Sequence, residues 1–196
     1  FSAYGLKRTT IEDLARAAKI STGSFYLFYA SKEALFMDVA ELAELRFRRE
    51  ILAEVDLAGP SPRARLYAIF RKAFALLKTI PLLKLITGSD YDQLVRRMPP
   101  EKLQEHFVND RLFFEELCTH CQDAGIPIQV QPEEIISLLY PLVLAVMHEG
   151  ELDQTGFGSG IDLHLELITA FCLGEVELQY QESTGHTPAT GGRTAP

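Results

Sequence analysis

The segment from Thr9 to Leu35 constrains the fold most, because it encodes two short helices joined by a tight turn and then the start of a third. Thr9 and Thr10 stand three residues before Glu12 and Asp13, the spacing of a capping box. Ile11, Leu14, Ala15 and Ala18 follow at helical spacing and form one apolar face. Ala15, Ala17 and Ala18 are small enough for a second helix to cross close by, and Lys19-Ile20-Ser21 interrupts the pattern after them. So short a connection forces the two helices to meet at a steep angle.

Ser21 opens the second helix, and Thr22-Gly23-Ser24 fills its first turn with small hydroxyl side chains and a glycine that permits close backbone approach. That surface suits a phosphate or a groove. In a helix-turn-helix the second helix enters the major groove while the first crosses the DNA backbone. Phe25 is expected to pack inward and Tyr26 to offer its hydroxyl to a phosphate. Leu27 has no hydrogen-bonding group and would read bases only by apolar contact, for instance with a thymine methyl. The competing reading is a small helical cap on a larger bundle, with Tyr26, Phe28 and Tyr29 as ordinary core aromatics.

Thr10, Asp13-Leu14-Ala15, Ala18, Ile20-Ser21, Gly23, Phe25-Tyr26, Ser31-Lys32-Glu33 and Leu35 together resemble the TetR family of bacterial one-component regulators. The resemblance implies that Thr10 starts the supporting helix and that Ser21 to Phe28 form the recognition helix. It also implies that Lys32, at the next helix start, is a phosphate contact, where a helix N-terminus adds to anion binding. The DNA-facing set is therefore Thr10, Ser21, Thr22, Gly23, Ser24, Tyr26, Leu27, Phe28 and Lys32. Two positions depart from the family: Phe28-Tyr29 replaces an aromatic or histidine followed by Phe, and Lys19 stands where Gly is common. The first leaves open which of Phe28 and Tyr29 faces DNA and which closes the small core. In the family a helix of about ten or more residues precedes the position of Phe1. The sequence is therefore expected to lack part of its first helix and any basic arm before it.

A net charge of −8 at first argues against a nucleic-acid partner. Its distribution answers the objection. Residues 1–50 hold 8 of the 19 Lys and Arg and 7 of the 27 Asp and Glu, which leaves 11 bases against 20 acids in the remainder. The acidity lies outside the proposed reading head.

From Ser31 onward, helical patterns punctuated by Gly and Pro predict an all-α fold. Residues 1–50 are the expected DNA-binding domain, 51–180 a helical effector-binding and dimerisation domain, and 181–196 a polar, disordered tail. Helices are expected from Ser31 to about Val55, from about Ser61 to Pro81, from Pro100 to Gly125, from about Pro132 to His148 and from about Gly160 to Gln179. The last two are apolar on more than one face and need two sets of partners. Leu138, Leu142, Val146, Leu163, Leu167 and Phe171 are the candidate interface with a second copy, as the resemblance implies; burial within a monomer is the alternative. Two-fold symmetry would then match a palindromic operator.

The resemblance also implies an effector pocket in the body. Phe70, Phe74, Tyr91, Phe107, Phe114, Tyr140 and His148 could line it for a hydrophobic or amphipathic small molecule, or could simply fill the core. Pro141 within an apolar helix frees a carbonyl and can open space beside itself.

Cys118 and Cys121 form C-x-x-C without the second pair that a zinc site needs, so a one-turn spacing on a helix is the plainer account and a thiol sensor the other. No metal or cofactor is expected. Without a nucleophile elbow, phosphate-cradling glycine loop or metal-ligand pair, an enzyme finds no support. No apolar run is long enough for a membrane span, and the expected compartment is the cytoplasm. The chain reads as a ligand-responsive DNA-binding regulator, a repressor by the family's usual mode. The alternative is an all-helical adaptor that binds protein.

Overall fold

The computed structural model describes Phe1 and residues 4–79, 100–147 and 157–176, and every regular element among them is a helix. They are α1 Gly5–Arg8, α2 Ile11–Ala18, α3 Thr22–Phe28, α4 Lys32–Val55, α5 Pro62–Thr79, α6 Pro100–Asp123, α7 Pro132–Met147 and α8 Phe157–Cys172.

Side-chain caps set the starts. The Thr10 hydroxyl accepts from the Asp13 amide at 3.1 Å, and the Asp13 carboxylate accepts from the Thr10 amide at 3.2 Å, completing the capping box of α2. Ser21, Ser31 and Ser61 cap α3, α4 and α5 through the amides of Ser24, Ala34 and Ala64 at 2.9, 3.1 and 3.2 Å. Each hydroxyl satisfies a donor that would otherwise face water alone.

The ends of α2, α6 and α8 share one device, a left-handed residue with paired bonds back to the last turn. After α6, Gly125 (φ 79) donates to Gln122 and Ile126 to Cys121. After α8, Gly174 (φ 69) donates to Phe171 and Glu175 to Ala170. After α2 the same pair of bonds is made by Lys19 and Ile20, with Lys19 at φ 58. Gly174 explains why α8 stops at Cys172 and not near Gln179. At its other end α8 begins at Phe157, so the expected loop through Gly160 is partly helical.

The core joins α4 through α8. Ile51 and Val55 of α4, Leu66, Ile69, Phe70 and Phe74 of α5, Phe113 and Leu117 of α6, Ile135 and Val146 of α7, and Leu165 and Cys172 of α8 lie in one buried cluster. Arg65 fastens two helix ends within it, donating to Val55 O at 2.8 Å and Ala124 O at 2.7 Å. A smaller cluster of Leu6, Phe36 and Ala40, with Phe1 edge-on to Phe36 at 5.2 Å, holds α1 to the first half of α4. At about 1.5 Å per residue, the 24 residues of α4 span roughly 36 Å between the two clusters.

This packing corrects several expectations for the body. Phe70 and Phe74 are core residues, and Phe114 packs half-buried against the same cluster. Tyr140 points to solvent, and Pro141 beside it is exposed, which places it away from an interior cavity. Val146 is buried among intramolecular partners, with Leu138 and Leu142 half-buried against them, in a helix that packs on α5, α6 and α8. The exposed apolar residues of α7 are Tyr140 and Leu144 instead. On α8, Leu163 and Leu167 remain 61% and 57% exposed, with Phe171 half-buried one turn further on. Tyr91, His148, the Phe107 side chain and the tail 181–196 lie outside the described residues.

Candidate nucleic-acid interface

The reading head is organised around Phe25. Its side chain, 3% exposed, is the buried anchor of α3. The Tyr26 ring stands edge-on to it at 5.7 Å, and the Tyr29 ring lies tilted against it at 5.9 Å. Tyr29 is half-buried; burial, and secondarily the Asp38 carboxylate to which its hydroxyl is bonded, push its pKa above the ordinary phenol value. Phe28, by contrast, is 73% exposed. Tyr29 therefore closes the small core and Phe28 faces out, which decides between the two positions.

At about 100° per residue, the point of α3 opposite Phe25 falls between Gly23 and Leu27, which stack one turn apart. Thr22 and Tyr26 border them on one side, Ser24 and Phe28 on the other. Leu27 is 82% and Tyr26 59% exposed. A Cβ built on Gly23 would touch only the Ser21 hydroxyl, at 3.7 Å, so the fold itself leaves that surface open. The Ser21 and Ser24 hydroxyls bond each other at 2.8 Å. Thr10 and Ser21 lie exposed at the starts of α2 and α3, two helices that contact each other.

Lys32 departs from its expected role. Its ammonium donates to the carbonyls of Leu6 and Thr9 at 2.8 Å each and of Lys7 at 3.4 Å. An ammonium has three N–H donors, and these carbonyls occupy all of them. The cation neutralises the carbonyl end of α1 and ties it to α4, which leaves it no donor for a phosphate in this arrangement.

Exposed Lys7, Arg8, Arg16 and Lys19 supply positive charge around the surface, against Glu12 and Asp13. Arg16 lies 3.6 Å from Asp13, whose carboxyl is held below its usual range chiefly by the Thr10 hydroxyl bond. Lys19, outside the expected set, sits in the turn two residues before Ser21. Its substitution for the usual glycine was the available signal, and the structure holds it exposed at φ 58.

In the body, an open groove of about 360 Å³ runs between α4 and α6, lined by Leu45, Arg48, Arg49, Leu52, Asn109, Leu112, Phe113 and Glu116. Arg48 bridges the two helices, 2.8 Å from Asp110 and over the Phe113 ring at 5.5 Å. Elsewhere Cys118, Cys121 and Cys172 are buried, and burial pushes the thiols of Cys121 and Cys172 up to about 12 and raises that of Cys118. Among the described residues, no cluster of three His, Cys, Asp or Glu side chains is placed to hold a metal ion. No described helix is long and apolar enough to cross a membrane.

Two short capped helices, a left-handed turn and an outward second helix form a helix-turn-helix. Residues 1–39 match the profile of bacterial regulatory proteins of the tetR family. It is 38% identical over 64 residues to the uncharacterized HTH-type transcriptional regulator YerO of Bacillus subtilis (strain 168), covering 32% of this chain and 22% of that one. To the uncharacterized HTH-type transcriptional regulator YuxN of the same organism it is 27% identical over 118 residues, covering 54% and 39%. The chain thus spans less than half the length of either relative.

Proposed function

We propose that the protein is a ligand-responsive repressor that binds a palindromic operator as a homodimer through α2 and α3. The observation that carries this reading is the outward face of α3, where Gly23, Tyr26 and Leu27 are exposed, in a segment that also exposes lysines and arginines and matches the tetR family profile. Phosphate attraction comes from the surrounding cations and sequence reading from α3.

The homodimer rests on the exposed Leu163 and Leu167 of α8 and Tyr140 and Leu144 of α7. These apolar side chains belong to two helices that pack on one another, and they remain exposed among the described residues. A second copy with the same faces would bury them and present two reading heads related by a two-fold axis.

The groove between α4 and α6 suits an amphipathic effector. A small molecule that favours one packing of α6 on α4 would shift the head that α4 carries, and would weaken DNA binding by its differential affinity for the two packings. Repression follows the family's usual mode.

The test is selection from a random duplex pool by the full chain at a stated salt concentration, with sequencing of the retained fraction. A recovered palindrome supports the dimeric regulator. Retention of no sequence above background by folded, ligand-free protein favours the protein-binding adaptor instead, a helical body with an incidental head.

A further inference from the structure

The chemistry of α3 narrows what such a head can read. Its residues, Thr22-Gly23-Ser24-Phe25-Tyr26-Leu27-Phe28, include no Arg, Lys, Asn, Gln, Asp or Glu. Those are the side chains that grip guanine O6 and N7, adenine N6 and N7, or cytosine N4 in the major groove. We propose that α3 selects its half-site through thymine methyl groups, read by Leu27, and not through hydrogen bonds to purine edges. This rests on the DNA-binding reading above.

Three observations support it. Leu27 and Phe28 are 82% and 73% exposed, and Leu27 lies directly opposite the buried anchor Phe25. Gly23, one turn before Leu27, adds no side chain to the approaching face, so the helix can seat deeply enough for Leu27 to reach a base edge. The hydroxyls of Ser21 and Ser24 are bonded to each other, with Ser21 also accepting from the Ser24 amide, so this pair is partly engaged in capping α3. The thymine C5-methyl is the one apolar group that a base pair presents in the major groove. Exposed Lys7, Arg8, Arg16 and Lys19 would supply the attraction to the backbone that methyl contacts lack.

The experiment uses the selected duplex with single base analogues and the full chain. Deoxyuridine in place of thymine removes the methyl and keeps base pairing; 7-deazapurines remove the purine N7 acceptor. Each methyl lost from a contact with Leu27 should weaken binding about fourfold, and a position replaced in both half-sites about fifteenfold. In the Leu27→Ala protein the same replacement should change affinity by less than about twofold, which ties the methyl to this side chain. The 7-deazapurines should change affinity by less than about twofold. No loss from deoxyuridine at any half-site thymine, an undiminished loss in Leu27→Ala, or about tenfold loss from a 7-deazapurine would each overturn the proposal. Failure to select any duplex would instead overturn the DNA-binding reading, before any analogue is used.

Discussion

The Lys32 ammonium donates a 2.8 Å hydrogen bond to the carbonyl of Thr9, across 23 residues of sequence. With its bonds to Leu6 and Lys7 it joins α1 and the start of the α2 region to the first turn of the long helix. One side chain thereby sets how the head is seated on α4.

Lys32→Ala should accordingly destabilise the head by about 1–2 kcal/mol, the range for charged hydrogen bonds discounted for partial exposure. Hydrogen exchange of the amides in α1 and α2 measures this as a loss of protection. The slope of log Kd against log salt should stay unchanged, since a lost phosphate contact would lower it by about one.

Gly23→Ala separates stability from recognition. The added Cβ meets no clash, and alanine is the better helix former, so the melting temperature should hold or rise, by up to about 1 kcal/mol of stability. DNA affinity should fall, because the same Cβ projects from the face that approaches the groove. Thermal melting and a binding titration on one preparation check both signs.

Leu163→Glu with Leu167→Glu should turn a dimer into a folded monomer. Both positions are exposed within the single chain, so the charges burden only an interface between copies. Sedimentation velocity across a concentration series reads the assembly state, and circular dichroism confirms that the helices persist.

The buried thiols predict a pH dependence. Cys121 and Cys172 keep their protons to about pH 12 in the fold, against 9.0 for an ordinary thiol. Between these values the folded state binds more protons than the unfolded state, so this stability is full below about pH 9 and declines as pH rises toward 12. The urea midpoint should fall between pH 8 and pH 10.5. Iodoacetamide at pH 8 should label the native thiols slowly and all three quickly in urea.

The head was legible in the sequence because its signals are local. Thr10 and Asp13, Ser21 and Ser24, and Ser31 lie within one helical turn of the groups they cap, so spacing alone predicts them. The role of Lys32 was not legible, since its partners are carbonyls of residues 6, 7 and 9, and main-chain acceptors leave no mark on side-chain patterns. Lys19 lay between these cases. Its departure from glycine was visible, but the left-handed backbone behind it was not.

In the body, an apolar pattern on more than one face of α7 did not indicate which side meets the core. Val146 turns inward and Tyr140 outward because α5, α6 and α8 pack on α7, a choice made by tertiary contacts. The end of α8 was misjudged for a simpler reason. Gly174 combines a left-handed φ with close contact from Gln129, where a Cβ would sit 2.7 Å from its amide carbon, and that is a local stop.

The central claim is that α3 reads DNA, and Leu27→Glu tests it most directly. Leu27 has almost no intramolecular contact to lose, so the variant should melt like the parent. Its affinity for the selected duplex, measured by fluorescence anisotropy at fixed salt, should fall by about 100-fold as a carboxylate enters the groove. An affinity within about twofold of the parent, in a protein of unchanged stability, would contradict the account.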